Sequence, residues 1–322
     1  MDGISIIICC YNSEKTIKRT LEHIIKQELP INISWEVIIV DNNCSDKTVL
    51  IANELLYNSS VSYKIVKEDK AGLVYARLKG VESSQYDFIL FCDDDNLLCK
   101  TYAVQAYEIL KNDESIGACG GKGIPEFEIQ PTKEIVLMKG CYALGSQIKN
   151  KLYLYGAGIC LRKKLYENLI KYNNPLKLTG RKGNLLLAGD DSEICKWILL
   201  MGYKLQPSDS LIFTHIIQKK RLNNTYLKSI IKCITFSEPI LATYNCIILK
   251  EKSVQYYKHL FMYICLLLKS VLQSSFNLHK SIYIYYYFYC IKAYLYWGKR
   301  ELQTLYNDTK NIIESKELYS HN

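Results

Sequence analysis

The chain has 322 residues, 49% hydrophobic and 23% charged, a balance that excludes a disordered polymer and allows one large core or two modest ones. Its formal charge of +9 sits at one end. Residues 1–215 carry 26 Lys and Arg against 26 Asp and Glu, and the last 107 carry 15 against 6. A basic end attracts something acidic, and charge alone does not choose between an anionic membrane face, phosphorylated lipid and RNA.

Ile4–Cys10 reads as a short apolar strand, followed by a polar turn at Tyr11-Asn12-Ser13 and a helical stretch to about Glu28. No basic leader or long apolar region precedes it, which makes the cytosol the expected compartment. The 13 cysteines include no CxxC pair, and several lie in apolar runs, so they read as reduced, buried hydrophobes. Asn-x-Ser/Thr triplets such as Asn43-Cys44-Ser45 are then chance matches.

Trp35–Val40 leads into Asp41-Asn42-Asn43 and a second helix. Tyr63–Val66, the helical Leu73–Glu82 and the strand-like Tyr86–Cys92 continue the alternation. Continuous apolar strands separated by helices predict a sheet covered on both faces, with ligands at the carboxyl ends of its strands. Asn12, Asp41 and Asp93–Asn96 all fall at such ends.

Asp93, Asp94 and Asp95 close the apolar run Phe88–Cys92. Three adjacent carboxylates repel one another unless a proton or a cation intervenes. A solvated acidic turn is one outcome; the other is a divalent ion, Mn²⁺ or Mg²⁺, shared with the phosphates of a nucleotide diphosphate. No GxGxxG follows the first strand, which removes a dinucleotide-dependent dehydrogenase. The Gly- and Arg-rich loop expected of a sugar nucleotidyltransferase is also absent there.

The region from Ile116 to about His215 is richer in glycine, with Gly120-Gly121-Lys122-Gly123 and Gly156-Ala157-Gly158. It contains Gly189-Asp190-Asp191-Ser192-Glu193 at the head of a helical stretch, Ile194–Met201. An Asp in that position either caps the helix or acts as a general base. Phe213-Thr214-His215 then precedes the basic Lys219-Lys220-Arg221, which suits either a solvated stretch or neutralisation of a leaving diphosphate.

In this order the motifs resemble the family-2 glycosyltransferases, over roughly residues 3–220. Ser5–Asn12 is similar to that family's opening strand, Val40–Thr48 to its second-strand loop, and Ala71–Gly80 to the helix start that flanks the nucleotide. The resemblance implies a GT-A fold: a Rossmann-like mixed α/β sheet flanked by helices, here with a C-terminal helical extension. It implies that Asn12, Asp41 and Arg77 meet the nucleotide. Phe91–Asp95 matches the DxD element, so Asp93 meets the ribose and helps Asp95 hold the metal, with Asp94 the alternative register. It further implies that Gly156, Ala157 and Gly158 lie beside the acceptor, that Asp191 is the catalytic base with Asp190 positioning the acceptor, and that His215 closes on the metal.

The expected activity is inverting transfer from a nucleotide-diphosphate sugar, by analogy a UDP-sugar, to a polysaccharide, oligosaccharide or lipid-linked acceptor, with no nucleic acid involved. A non-catalytic sugar- or lipid-carrier-binding module on the same fold is the competing class. The expected division is 1–218 for the catalytic domain, with a nucleotide half to about 115 and an acceptor half over 116–218, and 219–322 for a basic, Tyr-rich helical tail.

The apolar stretch 259–272 is broken by Lys269 and is too short to span a bilayer. Residues 281–297 include seven tyrosines and end at Trp297, just before Lys299 and Arg300. Such composition suits interfacial helices, so a peripheral contact with the inner face of a membrane through residues 256–300 is one expectation. Packing on the catalytic region, or on a second subunit in a homodimer, is the other.

Overall fold

In a computed structural model, the structure describes residues 1–171, 176–178, 181–182, 185–186, 188–275 and 277–315; the end of the tail, 316–322, lies outside the described residues. The apolar runs form strands. β1 (Ile4–Cys10), β2 (Trp35–Asp41), β3 (Tyr63–Lys67) and β4 (Phe88–Asp93) alternate with α1 (Ile17–Ile25), α2 (Thr48–Tyr57) and α3 (Leu73–Ser83). β5 (Asn96–Leu98), α4 (Tyr102–Asn112), β6 (Ile116–Phe127), α5 (Lys133–Leu137), β7 (Cys160–Arg162) and α6 (Lys163–Lys171) follow. After them come β8 (Arg181–Lys182), β9 (Leu185–Leu186), α7 (Asp190–Leu200), β10 (Lys204–Ile217), α8 (Asn224–Ile248), α9 (Tyr256–Ser274) and α10 (Ser281–Glu314).

Eight strands make one mixed sheet in the order β3-β2-β1-β4-β7-β6-β10-β5, and β8 pairs with β9 apart from it. β1 is parallel to β2 and β4, whereas β7 runs antiparallel to β4 and β6. Side chains alternate across a strand, so Ile4, Ile6, Ile8 and Cys10 face the layer of α1, α2 and α4. Ile7 faces the opposite layer, built by α3, α6, α7 and α8. α1 buries Ile17, Thr20, Leu21 and Ile24, the single stripe that a helix lying on a sheet needs.

The chain passes from β1 outward to β2 and β3, then returns to the other side of β1 as β4. That reversal opens a crevice at the carboxyl ends of β1 and β4, where Tyr11-Asn12 and Asp93 emerge; β2 ends beside them, with Asp41 opposite Cys10. β10 runs antiparallel to β5 and sets His215 opposite Asn96, which carries a distant histidine to the acidic run.

Two details differ from the sequence expectation. The glycine-rich stretch at 120–123 lies within the 12-residue strand β6, because an added Cβ on Gly121 or Gly123 would collide with the backbone carbonyl of Leu211 or Ala143. Second, α7 begins at Asp190, so both acids lie within its first turn.

The tail helices pack on the sheet and on one another. Ile240 and Tyr244 of α8 join the core under α7, and Trp297 donates its indole N–H to the Phe236 carbonyl at 3.0 Å. α10 breaks at Gly298, where φ of 65° and ψ of 157° leave the helical region. Tyr263, Cys290, Tyr294 and Tyr306 build a second small core among α8, α9 and α10. Among the described residues no helix is long and apolar enough to cross a membrane.

Close packing of α3 on the sheet gives a test of this layer. A Cβ at Gly80 would strike Cγ2 of Ile7, whereas one at Gly140 would find only the Tyr155 hydroxyl, 3.9 Å away. Gly80→Ala is expected to destabilise by about 1–3 kcal/mol through overpacking, with Gly140→Ala within about 0.5 kcal/mol of the parent. Urea midpoints of the two variants check this, and an unshifted Gly80→Ala would mean the layer has slack.

Candidate active site

The side of the crevice at the ends of β1 and β2 is knitted by asparagines. Asn12 takes a left-handed φ of 52°, and its Oδ1 accepts from the Ser45 N–H at 2.8 Å, tying the loop after β1 to the loop after β2. Asp41 accepts the Cys44 N–H at 2.8 Å and so folds the same loop back on itself. Asn42 does more than its place in the motif suggested. Its Nδ2 donates to the carbonyls of Glu68 and Lys70 at 3.0 and 2.9 Å, and its Oδ1 accepts from the Gly72 N–H at 2.9 Å. One buried side chain thus joins the loop after β2 to the loop after β3 and sets the start of α3, from which Arg77 projects.

The three consecutive aspartates diverge. Asp94 accepts the Tyr11 N–H at 3.4 Å; burial first, and then the Asp95 charge, push its carboxyl up to about 7. Asp95 turns the other way. Its Oδ2 takes a 2.7 Å bond from Nη1 of Arg221, and its Oδ1 lies 3.4 Å from Nε2 of His215. The carbonyl of Tyr142 can only accept, so the 2.8 Å contact makes His215 Nδ1 the donor there and turns Nε2 toward Asp95 and Arg221. Asp93 lies within the charge field of both Arg77 and Arg221.

Arg77 is the pivot. It is buried, donates through Nη1 to Oδ2 of Asp190 at 2.6 Å, and stacks over Phe91 at 5.1 Å. Burial draws its pKa down, but Asp190, Asp93 and Asp191 more than offset that, so the guanidinium stays charged. Gly156 fits between: a Cβ there would sit 2.7 Å from Nη2 of Arg77 and 3.0 Å from Oδ2 of Asp191. Its N–H donates to that same Oδ2 at 2.7 Å. Of the small-residue triplet, only Gly156 reaches the acids. Ala157 is buried in the core, and Gly158 gives its carbonyl to the Tyr102 hydroxyl at 2.7 Å, with φ of 75°.

Neither acid caps α7 through its side chain, because the N-cap is Gly189, held at φ of 103°. Asp190 and Asp191 occupy the first turn, where the helix dipole favours negative charge. Burial, followed by the Asp190 charge, raises the pKa of Asp191 against the lowering effects of Arg77 and the Gly156 and Ser192 amides. Glu193, not singled out from sequence, is wholly buried. It accepts from the backbone N–H groups of Lys177 and Leu178 at 2.8 and 2.7 Å and from the Tyr244 hydroxyl at 2.7 Å, fixing the segment before α7 to α8. Burial lifts its carboxyl to about 7.

The donor set at Asp95 and His215 fits a hard dication. An imidazole whose Nδ1–H is tied to a carbonyl presents Nε2 as a ligand, and a carboxylate oxygen lies beside it. Among the described residues no group of three or more His, Cys, Asp or Glu forms a protein-only cage. An ion held here would therefore draw other ligands from phosphate and water, as Mg²⁺ commonly does. Orphaned polar atoms cluster at the same spot: Nε of Arg221 and both amide atoms of Asn96 are buried without a partner. Such groups cost about 1–3 kcal/mol each until something satisfies them.

Residues 5–169, just over half of the chain, match the family described as Glycosyl transferase family 2. A poly-beta-1,6-N-acetyl-D-glucosamine synthase of Staphylococcus aureus (strain COL) is 25% identical over 121 residues, and that of Staphylococcus epidermidis is 26% identical over the same length. The match takes in 38% of this chain and spans only 28% of the length of these curated relatives.

Among solved structures, the mannosyltransferase PcManGT of Pyrobaculum calidifontis, in complex with GDP-Man and Mn²⁺, superposes with a TM-score of 0.61 at 14% identity. It covers all of this chain (100%) and 88% of that one. S. aureus TarS 1-349, in complex with UDP-GlcNAc, gives 0.51 at 15% identity, with 96% and 92% covered. At these identities the likeness is one of fold.

The Arg77–Asp190 pair is testable apart from any activity. Its side chains are 4% and 8% exposed, so Arg77→Ala strands a buried carboxylate and is expected to cost about 3–5 kcal/mol. Adding Asp190→Asn to that variant should recover part of the loss. Urea unfolding of the single and double variants measures the coupling, and a parental midpoint for Arg77→Ala would show that the pair carries no weight.

Proposed function

The chain belongs to glycosyl transferase family 2 and is a glycosyltransferase; from that premise we propose that it moves a sugar, with inversion, from a nucleotide-diphosphate donor to a glycan or lipid-linked acceptor at the crevice between β4 and α7. The observation that carries the proposal is the single charge network through Arg77. It links Asp93, at the end of β4, to Asp190 and Asp191, at the head of α7. A donor held over the first strand ends and an acceptor held at α7 would thereby meet in one place.

On this reading the acceptor hydroxyl attacks the anomeric carbon while its proton passes to the Asp191 carboxylate, and the bond from that carbon to the diphosphate oxygen breaks. One displacement inverts the carbon. A carboxylate whose pKa is raised by burial is a stronger base than an exposed aspartate, and the Gly156 N–H holds it in position. Arg77 bonds Asp190 and lies in the field of Asp191, which offsets part of the repulsion between the two acids. Asn12, Asp41 and Asn42 shape the nucleotide end, where we assign base and ribose recognition to Asp41 and Asp93.

Asp95 and His215 are the residues that would hold Mn²⁺ or Mg²⁺, with Asp93 beside them, and such an ion would supply positive charge to the departing diphosphate. Arg221 takes that role for Asp95 within the protein and has a free Nε to offer a phosphate oxygen. UDP-sugars are the first donors to try, since the TarS structure is a complex with UDP-GlcNAc; the GDP-Man complex makes GDP-sugars the second.

The proposed division keeps 1–218 as the catalytic unit, its donor half to about 115 and its acceptor half over 116–218, with 219–322 as a helical region. α8 buttresses α7 through Tyr244 and Glu193.

Asp191→Asn is expected to lower transfer by about 10²–10⁴-fold while a matching sugar nucleotide still raises the melting temperature. Release of nucleoside diphosphate from a panel of sugar nucleotides with Mn²⁺ measures the first, and thermal shift the second. Near-normal turnover by Asp191→Asn would remove it as the base.

The pH dependence has a fixed sign. Asp191 acts deprotonated and its pKa is raised, so kcat should fall on the acid side at a pH above the ordinary aspartate value of about 3.9. A rate that stays flat down to that value would contradict the assignment.

A further inference from the structure

One surface of the tail has no part in the transfer chemistry. α9 is anchored along one seam, where Tyr256, Tyr263 and Ser270 are buried and the Tyr263 hydroxyl donates to Glu238 of α8 at 2.8 Å. The other side faces outward and is apolar. Tyr257, Phe261, Ile264, Leu268, Val271 and Leu272 follow the spacing of a single helix face, and Phe261, Leu268 and Leu272 are 68%, 61% and 69% exposed. Singly exposed apolar residues are ordinary; a continuous stripe of them over about four helical turns marks a contact surface.

The charges around the stripe say what kind of surface it meets. Lys258 and Lys269 are both exposed, and three helical turns apart they fall on the same edge of it. α9 contains no Asp or Glu. The sequence from residue 216 onward holds 15 Lys and Arg against 6 Asp and Glu. A second copy docked face to face would bring these lysine rows and two positive tails together. A sheet of negative headgroups over hydrocarbon matches both the stripe and its border.

We infer that α9 is a membrane-docking helix. It lies in the plane of an anionic bilayer, with Phe261, Leu268 and Leu272 at the acyl boundary and Lys258 and Lys269 among the phosphates. Trp297 and Tyr294 of α10 are spent inside the protein, on α8 and on Tyr256 and His259. The inference goes beyond the transfer reaction and depends on no part of it.

Co-sedimentation of the full chain tests it, using phosphatidylcholine vesicles with and without phosphatidylglycerol. The parent should bind the anionic vesicles, and more weakly as salt is raised. Phe261→Ser with Leu268→Ser should lower the partition by about tenfold or more. Lys258→Glu with Lys269→Glu should lower it by at least about fivefold per lysine on anionic vesicles and little on neutral ones. All four side chains are exposed, so unfolding midpoints should stay parental, and nucleoside diphosphate release in vesicle-free buffer should be unchanged.

Failure of the parent to bind anionic vesicles, or binding that neither double variant weakens, overturns the inference. So does a dimer in analytical ultracentrifugation that Phe261→Ser with Leu268→Ser takes apart, which would make the stripe a subunit interface. Loss of transfer activity with vesicle binding intact would instead count against the glycosyl-transfer proposal alone.

Discussion

A guanidinium buried between two groups of carboxylates is the constraint around which this molecule is arranged. Arg77 must leave water to reach Asp190, and an ion taken from water costs several kcal/mol unless its partners are close and well aimed. The 2.6 Å bond to Asp190, the fields of Asp93 and Asp191 and the face of Phe91 meet that cost together. Each partner comes from a different part of the fold. The Phe91 ring and Asp93 arrive on β4, Asp190 and Asp191 on α7, and Gly156 supplies the gap that lets Arg77 and Asp191 approach.

Arg77 does not serve the whole acidic run, and the remainder has physical consequences. Asp95 is matched by Arg221 and His215, but Asp94 is driven up to about 7 by burial beside its neighbours. Buried, unpartnered donors and acceptors on Arg221 and Asn96 lie at the same place. In the proposed reaction, a ligand carrying both phosphate oxygens and a cation would meet this surplus negative charge and these unspent polar groups at the strand ends. The sheet order explains its location, because reversal between β1 and β4 leaves a gap at the strand ends that no crossover covers.

The helices after β10 serve two ends. α8 closes the core under α7 and reaches Glu193 through Tyr244, so part of the tail supports the acids at the head of α7. α10 spends most of its aromatic surface on α8 and α9, which accounts for the run of tyrosines as packing material. α9 keeps a long apolar side turned outward. The tyrosine-rich stretch is thus largely packing, the second of the two expectations for the tail.

The amino-acid sequence by itself determined the strands, since runs such as Ile4–Cys10 and Trp35–Val40 are too uniformly apolar for anything but a sheet covered on both sides. It also marked the candidate loops, because Asp41, Asp93–Asp95 and Asp190–Asp191 stand out as acids where chain direction changes. What it left open was pairing. Arg77 lies 113 residues from Asp190, and Asp95 lies 126 from Arg221; no local pattern encodes such partners. Nor does spacing reveal that three adjacent aspartates point to different neighbours, that Ala157 and Gly158 serve the core, or that Asn42 ties two loops together. Tertiary structure alone decided these points, because a carboxylate's role depends on the charges and donors within a few ångströms, and strand order brings those together.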